Sequence, residues 1–242
     1  MAGEGSSLPI QGIRIDWDLI GPHSYLRGIG ALQELDHLAF TKNITLFVGE
    51  NGSGKSTLLE AIAVSYGFNP EGGTRNYHFS TYDSHSELCD ALTLTRGFGK
   101  PAWGYFLRAE SFYNVASAEE HYSKEDPRGI RQRFHERSHG ESFLQLVQTS
   151  FKSQGIYLLD EPEAALSPQR QLTLLLELVN RAKEGAQFII ATHSPILLGI
   201  PEAEILSFDE GRIHPIAYED TDSYQVTKLF IENRKQLLRR LI

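Results

Sequence analysis

Short apolar runs separated by polar, turn-forming stretches set the rhythm of this chain. Residues 44–48 and 156–159 are nearly unbroken apolar runs, too short for buried helices, and they predict strands covered on both faces. From residue 141 the pattern alternates: helix 141–152, strand 156–160, helix 168–183, strand 187–192. Strands alternating with helices of this length predict a parallel sheet with crossover helices. Upstream, Ile10, Ile13 and Ile15 begin a strand that Asp16-Trp17-Asp18 ends. Residues 19–43 hold the turn Gly21-Pro22 and a short helical pattern around Leu32 and Leu35. A helix over 57–66 stops at the turn cluster Asn69-Pro70-Glu71-Gly72-Gly73. Residues 77–81, 88–95 and 103–107 read as strands between turns, which predicts a small antiparallel layer beside the main sheet. The segment 114–140 is polar and charged and predicts short helices. The runs 205–208 and 212–216 flank Asp209-Glu210-Gly211 as a hairpin. From Thr227 a helix with one apolar face closes the chain, and Arg239-Arg240 in its last turn suit the helix dipole.

Length and charge narrow this picture. A chain of 242 residues, 40% of them apolar, suits one large α/β domain with a sizeable core. Thirty-one acidic against 23 basic side chains give a net charge of −8, so the surface as a whole does not advertise nucleic-acid binding. Lys124, Arg128, Arg131, Arg133 and Arg137 make one segment locally basic, and a solvated face explains them. The single cysteine, Cys89, excludes an internal disulfide and a cysteine metal site and fits a reducing compartment. Residues 1–9 are small and polar with no apolar signal core, and no stretch approaches the length of a membrane span. A cytoplasmic protein is expected, with any membrane part supplied by another subunit.

Gly49-Glu50-Asn51-Gly52-Ser53-Gly54-Lys55-Ser56-Thr57 fits G-x-x-x-x-G-K-[ST], the phosphate-binding P-loop. It lies between a predicted strand and a predicted helix, the context the motif requires. Its glycines let successive N–H groups turn inward toward phosphate oxygens, and the helix N-terminus adds positive potential. Lys55 is placed to reach the β- and γ-phosphates and Ser56 to ligate Mg²⁺. The alternative is a Gly-rich turn that happens to contain Lys-Ser.

A second group of candidates lies at later strand ends. The strand 156–160 ends in Asp160-Glu161, and ligands of α/β sheets bind at the carboxyl ends of strands. There Asp160 would hold Mg²⁺ through its water shell and Glu161 would polarise the attacking water, beside the alternative of a solvated acidic strand end. The strand at 187–192 ends in His193, placed at the same edge and able to donate a hydrogen bond to the γ-phosphate, beside the alternative of a structural histidine. Ser138 has the look of an N-cap for the helix that follows, with Glu141 completing a capping box. Ser138 and Gly140 at a helix start also make an anion site.

The order P-loop, Ser-x-Gly-Glu helix start, Asp-Glu strand and His strand resembles ABC-class ATPases, over residues from about 10 to about 208. Transporter subunits of that class usually read Asp-Glu-Pro-Thr, whereas this chain reads Asp160-Glu161-Pro162-Glu163. With Glu50-Asn51 in the P-loop and Thr192-His193-Ser194-Pro195, it is more similar to the soluble branch: chromosome-maintenance heads, recombination ATPases and short bacterial AAA-family ATPases. The resemblance implies a P-loop NTPase fold with a mainly parallel sheet flanked by helices and a small antiparallel layer. It implies one domain, with 10–73 and 141–242 as nucleotide-binding core and 74–140 as β layer and helical segment. It also implies ATP and Mg²⁺ as cofactors, ATP hydrolysis, a homodimer formed on ATP binding and a protein partner of unidentified kind. Ser138 and Gly140 correspond to the signature that contacts the γ-phosphate held by a second protomer. His139 and Glu141 depart from the usual Leu-Ser-Gly-Gly-Gln, Ser167 stands where the D-loop usually has aspartate, and Glu110 occupies the Q-loop place. Tyr25 is a candidate for adenine stacking, beside the alternative of an ordinary core or surface tyrosine. Arg75 falls at about the separation of an arginine finger, beside the alternative of an exposed loop arginine. The competing functions are the ATPase subunit of a membrane transporter and a nucleotide-dependent DNA-maintenance clamp.

Overall fold

Alternation within the strands decides which side of the main sheet each residue covers. In the computed structural model, which describes residues 8–33, 35–74, 86–98, 101, 103–108 and 139–242, this sheet has seven strands. In spatial order these are β10 (His214–Pro215), β9 (Glu204–Ser207), β3 (Ile44–Val48), β8 (Gln187–Ala191), β7 (Ile156–Asp160), β6 (Gly104–Arg108) and β4 (Gly73–Thr74). The strands from β9 to β6 pair in parallel, and the short edge strands β10 and β4 pair antiparallel. Phe47, Phe106, Leu158 and Ile189 point to one face and join a cluster with Leu58, Leu59 and Ile62. Their neighbours Leu46, Leu107, Leu159 and Ile190 point to the other face and pack with Phe143, Leu146, Leu174 and Leu178. Burial on both faces is why these strands read as continuous apolar runs.

Helices cover both faces. Short α1 (Gly30–Gln33), α2 (Lys55–Tyr66) and short α3 (Leu88–Ala91) belong to the first face; α4 (His139–Ser150) and α5 (Pro168–Lys183) belong to the second. The short α6 (Pro195–Leu198) follows β8, and α7 (Asp222–Leu241) ends the described chain. Thr221 caps α7 by accepting from the Tyr224 N–H, so this helix begins earlier than the apolar pattern from Thr227 implied. Over α2 lies a three-stranded antiparallel sheet in the order β2 (His37–Ala39), β1 (Ile10–Ile15), β5 (Leu92–Arg96). The fully buried Gln187 amide ties the two sheets together. Its Oε1 accepts from the Ile10 N–H at 2.8 Å and its Nε2 donates to the Ile10 carbonyl at 2.7 Å.

The fold is the expected α/β architecture, with two local differences. The strand expected at 103–107 pairs in parallel with β7 inside the large sheet, instead of forming part of the small layer. Residues 88–91 form a helical turn instead of the start of a strand, and the strand begins at Leu92. The strand expected at 77–81 and the helices expected within 114–138 lie outside the described residues.

Candidate functional site

The P-loop leaves the carboxyl end of β3 and runs into α2, and its backbone needs glycine. Gly54 is the left-handed residue before the helix, at φ 101°. A Cβ there would lie 2.7 Å from Ile29 Cγ2, so any other residue would be both strained and crowded. Lys55 is 5% exposed, and its ammonium donates to the Gly49 carbonyl at 2.7 Å and the Glu50 carbonyl at 2.8 Å. Burial pulls the Lys55 pKa down, while the negative charges of Asp209, Glu161 and Asp160 pull it back up.

Asp160 ends β7 and Ser56 opens the second helical position after the P-loop. The Ser56 hydroxyl donates to Asp160 Oδ1 at 2.8 Å. A hydroxyl that gives its one proton to a carboxylate still has lone pairs for a cation. The pair supplies hard oxygen ligands of the kind Mg²⁺ takes, one or two from protein with the rest from water and phosphate. No group of three or more His, Cys, Asp or Glu suited to a metal occurs among the described residues. Arg108 at the end of β6 lies 3.9 Å from Asp160 Oδ2 and 2.7 Å from Glu60 on α2.

Glu161 has left-handed backbone angles, φ 49° and ψ 52°, uncommon for a residue with a side chain. Its N–H donates to the Ala191 carbonyl at 2.9 Å, which holds the turn against the end of β8. His193 lies just beyond that end. Its Nε2 is 3.9 Å from Glu161 Oε1, too far for a hydrogen bond, and is buried with no partner among the described residues. The strand ends therefore bring Lys55, Ser56, Asp160, Glu161 and His193 to one edge of the sheet.

Other expected residues fall elsewhere. Gly140 is buried, and a Cβ on it would lie 2.8 Å from the Ala165 carbonyl and 2.8 Å from Arg170 Nη1. Its smallness thus has a packing reason within the protomer. Glu141 accepts from Arg170 Nη2 at 2.9 Å. Ser167 precedes α5 at the N-cap position without a side-chain cap bond. Tyr25 is 63% exposed and its hydroxyl donates to Ser86 Oγ at 3.2 Å. Ser138, Arg75 and Glu110 lie outside the described residues.

Sequence reasoning missed Asp209. It lies in the turn of the expected hairpin, between the antiparallel β9 and β10, and it also accepts through Oδ1 from the Glu50 N–H at 2.9 Å, bracing the first turn of the P-loop. It follows β9, and the rule that ligands gather at carboxyl ends of parallel strands was the available signal. Beside it opens a cleft of about 440 Å³ lined by Glu50, Asp209, Glu210, Asp220 and Asp222, with His193 and His214 on its walls.

A P-loop after a central strand of a mainly parallel sheet defines a P-loop nucleotide-binding domain. The sequence matches the AAA domain family over residues 25–237, and the chain belongs to that family. Among solved structures it is similar to the SMC head domain from Thermotoga maritima, at 15% identity and a TM-score of 0.48, covering 87% of this chain and 99% of that one. It is also similar to an ATP-binding cassette of an ABC transporter, at 17% identity and a TM-score of 0.42, covering 83% and 90%. A third is an SMC head bound to the C-winged helix domain of ScpA, at 16% identity and a TM-score of 0.44, covering 76% and 93%. No curated protein matches the sequence. No helix among the described residues is long and apolar enough to cross a membrane.

Proposed function

We propose that this chain binds Mg·ATP at the P-loop edge and hydrolyses it, as a dimer of two copies that sandwiches the nucleotides and drives or gates a protein partner. The observation that carries this reading is the 2.8 Å bond from Ser56 to Asp160, beside the buried Lys55 and next to Glu161. Asp160, Glu161 and Asp209 all place negative charge around Lys55. Bare ATP would meet that charge with little compensation; Ser56 and, through its water shell, Asp160 would hold Mg²⁺, which would neutralise phosphate charge there.

The side chains then divide the work. Lys55 gives up its hydrogen bonds to the loop carbonyls and turns to the β/γ-phosphate oxygens. Glu161 accepts a proton from the attacking water as its oxygen bonds the γ-phosphorus. The bond from that phosphorus to the bridging oxygen breaks, and ADP leaves with the electron pair. His193 Nε2–H donates to a γ-phosphate oxygen. From the second copy, Ser138 and the helix start at Gly140 face the same phosphate.

The test has two arms. Lys55→Ala removes the charge facing the phosphates, and calorimetry should register a sharp fall in ATP affinity. Glu161→Gln keeps the shape and removes the basic oxygen. ATP should bind as before while phosphate release falls by about 10²–10⁴-fold. Unchanged affinity in the first variant, or undiminished release in the second, overturns the corresponding role.

A further inference from the structure

The residue after Pro162 is where this chain parts from the transporter pattern, and the structure gives its carboxylate a definite job. Glu163 lies in the 3-10 turn Pro162–Ala165 that follows Glu161. Its Oε1 accepts from the His193 N–H at 2.6 Å and the Ser194 N–H at 3.1 Å. These are charge-assisted bonds to consecutive amides of the segment carrying the His193 ring. Its Oε2 is buried with no partner among the described residues, so half of the carboxylate's acceptor capacity goes unused while the other half holds that segment. The same turn has a second tie to the same place, the Glu161 N–H to the Ala191 carbonyl at 2.9 Å. Around the junction, Ser194 N–H also meets Thr192 Oγ1 at 3.1 Å and Ser194 Oγ donates to Gln171 Oε1 at 2.6 Å.

We propose that Glu163 is a positioning residue: its carboxylate fixes the backbone of His193 and Ser194 and so sets the His193 ring against Glu161. The two candidate groups sit on different strand ends and do not bond one another, with 3.9 Å between His193 Nε2 and Glu161 Oε1. Their spacing therefore depends on backbone ties between the turn after β7 and the segment after β8, and Glu163 supplies two of them. A threonine here would be two carbons too short to present an oxygen to both amides.

The effect on turnover rests on the proposed role of His193 in hydrolysis; the backbone positioning does not. The experiment uses the full chain carrying Glu163→Thr, Glu163→Ala or Glu163→Gln. Residue-resolved hydrogen exchange at His193 and Ser194 should quicken about tenfold or more in the Thr and Ala variants, as two bonds to a charged acceptor are lost. Gln keeps one acceptor oxygen and should retain most of the protection. In steady-state ATPase assays, Thr and Ala should lower kcat by up to about 10²-fold with KM held, and Gln should restore most of the rate. In a His193→Ala background, Glu163→Thr should cause no further loss. Unchanged exchange, protection lost as fully in Gln as in Thr, or additive losses of kcat with His193→Ala would each overturn the proposal. If the wild-type chain releases no phosphate, hydrolysis fails as a reading, and the exchange arm alone decides whether Glu163 holds the segment.

Discussion

Ser56 and Asp160 are 104 positions apart in sequence, yet one hydrogen bond of 2.8 Å joins them. In the proposed reading, that bond marks the place where Mg²⁺ would be held between the P-loop and the end of β7. Removing the charge of Asp160 while keeping its shape tests the arrangement. Asp160→Asn should weaken the apparent Mg²⁺ affinity by about 10–100-fold, the usual cost of losing an outer-shell partner. A magnesium titration of ATP turnover at saturating nucleotide reads this directly, and an unchanged midpoint would remove Asp160 from the metal site. The sequence revealed these residues because motif and strand end are local patterns. Glu163 and Asp209 were not legible in that way. Each works by accepting backbone N–H groups from a distant element, His193 and Ser194 in one case and Glu50 in the other. Any backbone has such amides, so a carboxylate's partner among them leaves no trace in composition or spacing.

Among the elements, those whose burial is complete were the most legible. The strand β7 keeps its expected bounds because Ile156, Tyr157, Leu158 and Leu159 are all fully buried. The start of α5 was equally clear, with Ser167 before it and Pro168 at its first position. The assignment of β6 to a layer failed because an apolar run states that a strand exists but not which strand it will pair with. The stretch at Leu88 failed because so short a segment, Leu88-Cys89-Asp90-Ala91, serves a helical turn as well as a strand. The helix α7 is a different case. It has an amphipathic sequence, yet none of its residues is buried, and Val226, Leu229, Phe230 and Ile231 are all exposed. Its anchorage is at its start, through the Thr221 cap and the Tyr218–Tyr224 ring contact at 4.7 Å. Ending the chain after Gln225 should therefore shift the unfolding free energy of the monomer only on the order of 0.5 kcal/mol, as for other exposed sites. Leu158→Ala, by contrast, should cost about 2–5 kcal/mol. Urea melts of the two variants compare them, and equal losses would mean that α7 contributes to the core.

For the molecule as a whole, the question is whether one copy can complete the site. Lys55, Ser56, Asp160, Glu161 and His193 converge on one edge, and carboxylates outnumber cations there. Without nucleotide, two such edges facing each other repel, and the net charge of −8 on each copy adds to the repulsion. In the dimer proposed above, the phosphates of Mg·ATP would bridge the P-loop of one copy to Ser138 and the helix start of its partner, and two such sites would close a two-fold interface together. Nucleotide that binds the closed dimer more tightly than the monomer must shift the equilibrium toward the dimer by mass action. The variant that binds ATP without hydrolysing it should hold that state longest. Light scattering on Glu161→Gln should give the monomer mass without Mg·ATP and twice that mass with it, at micromolar protein. Ser138→Arg should abolish the change by placing bulk at the contact while leaving ATP binding to each protomer intact. Gly140 sharpens the test, because its close packing against Ala165 and Arg170 already accounts for a glycine there within one copy. If Glu161→Gln stays monomeric with Mg·ATP bound, that internal packing is the whole reason for Gly140, and hydrolysis belongs to a site that one copy or a different protein completes.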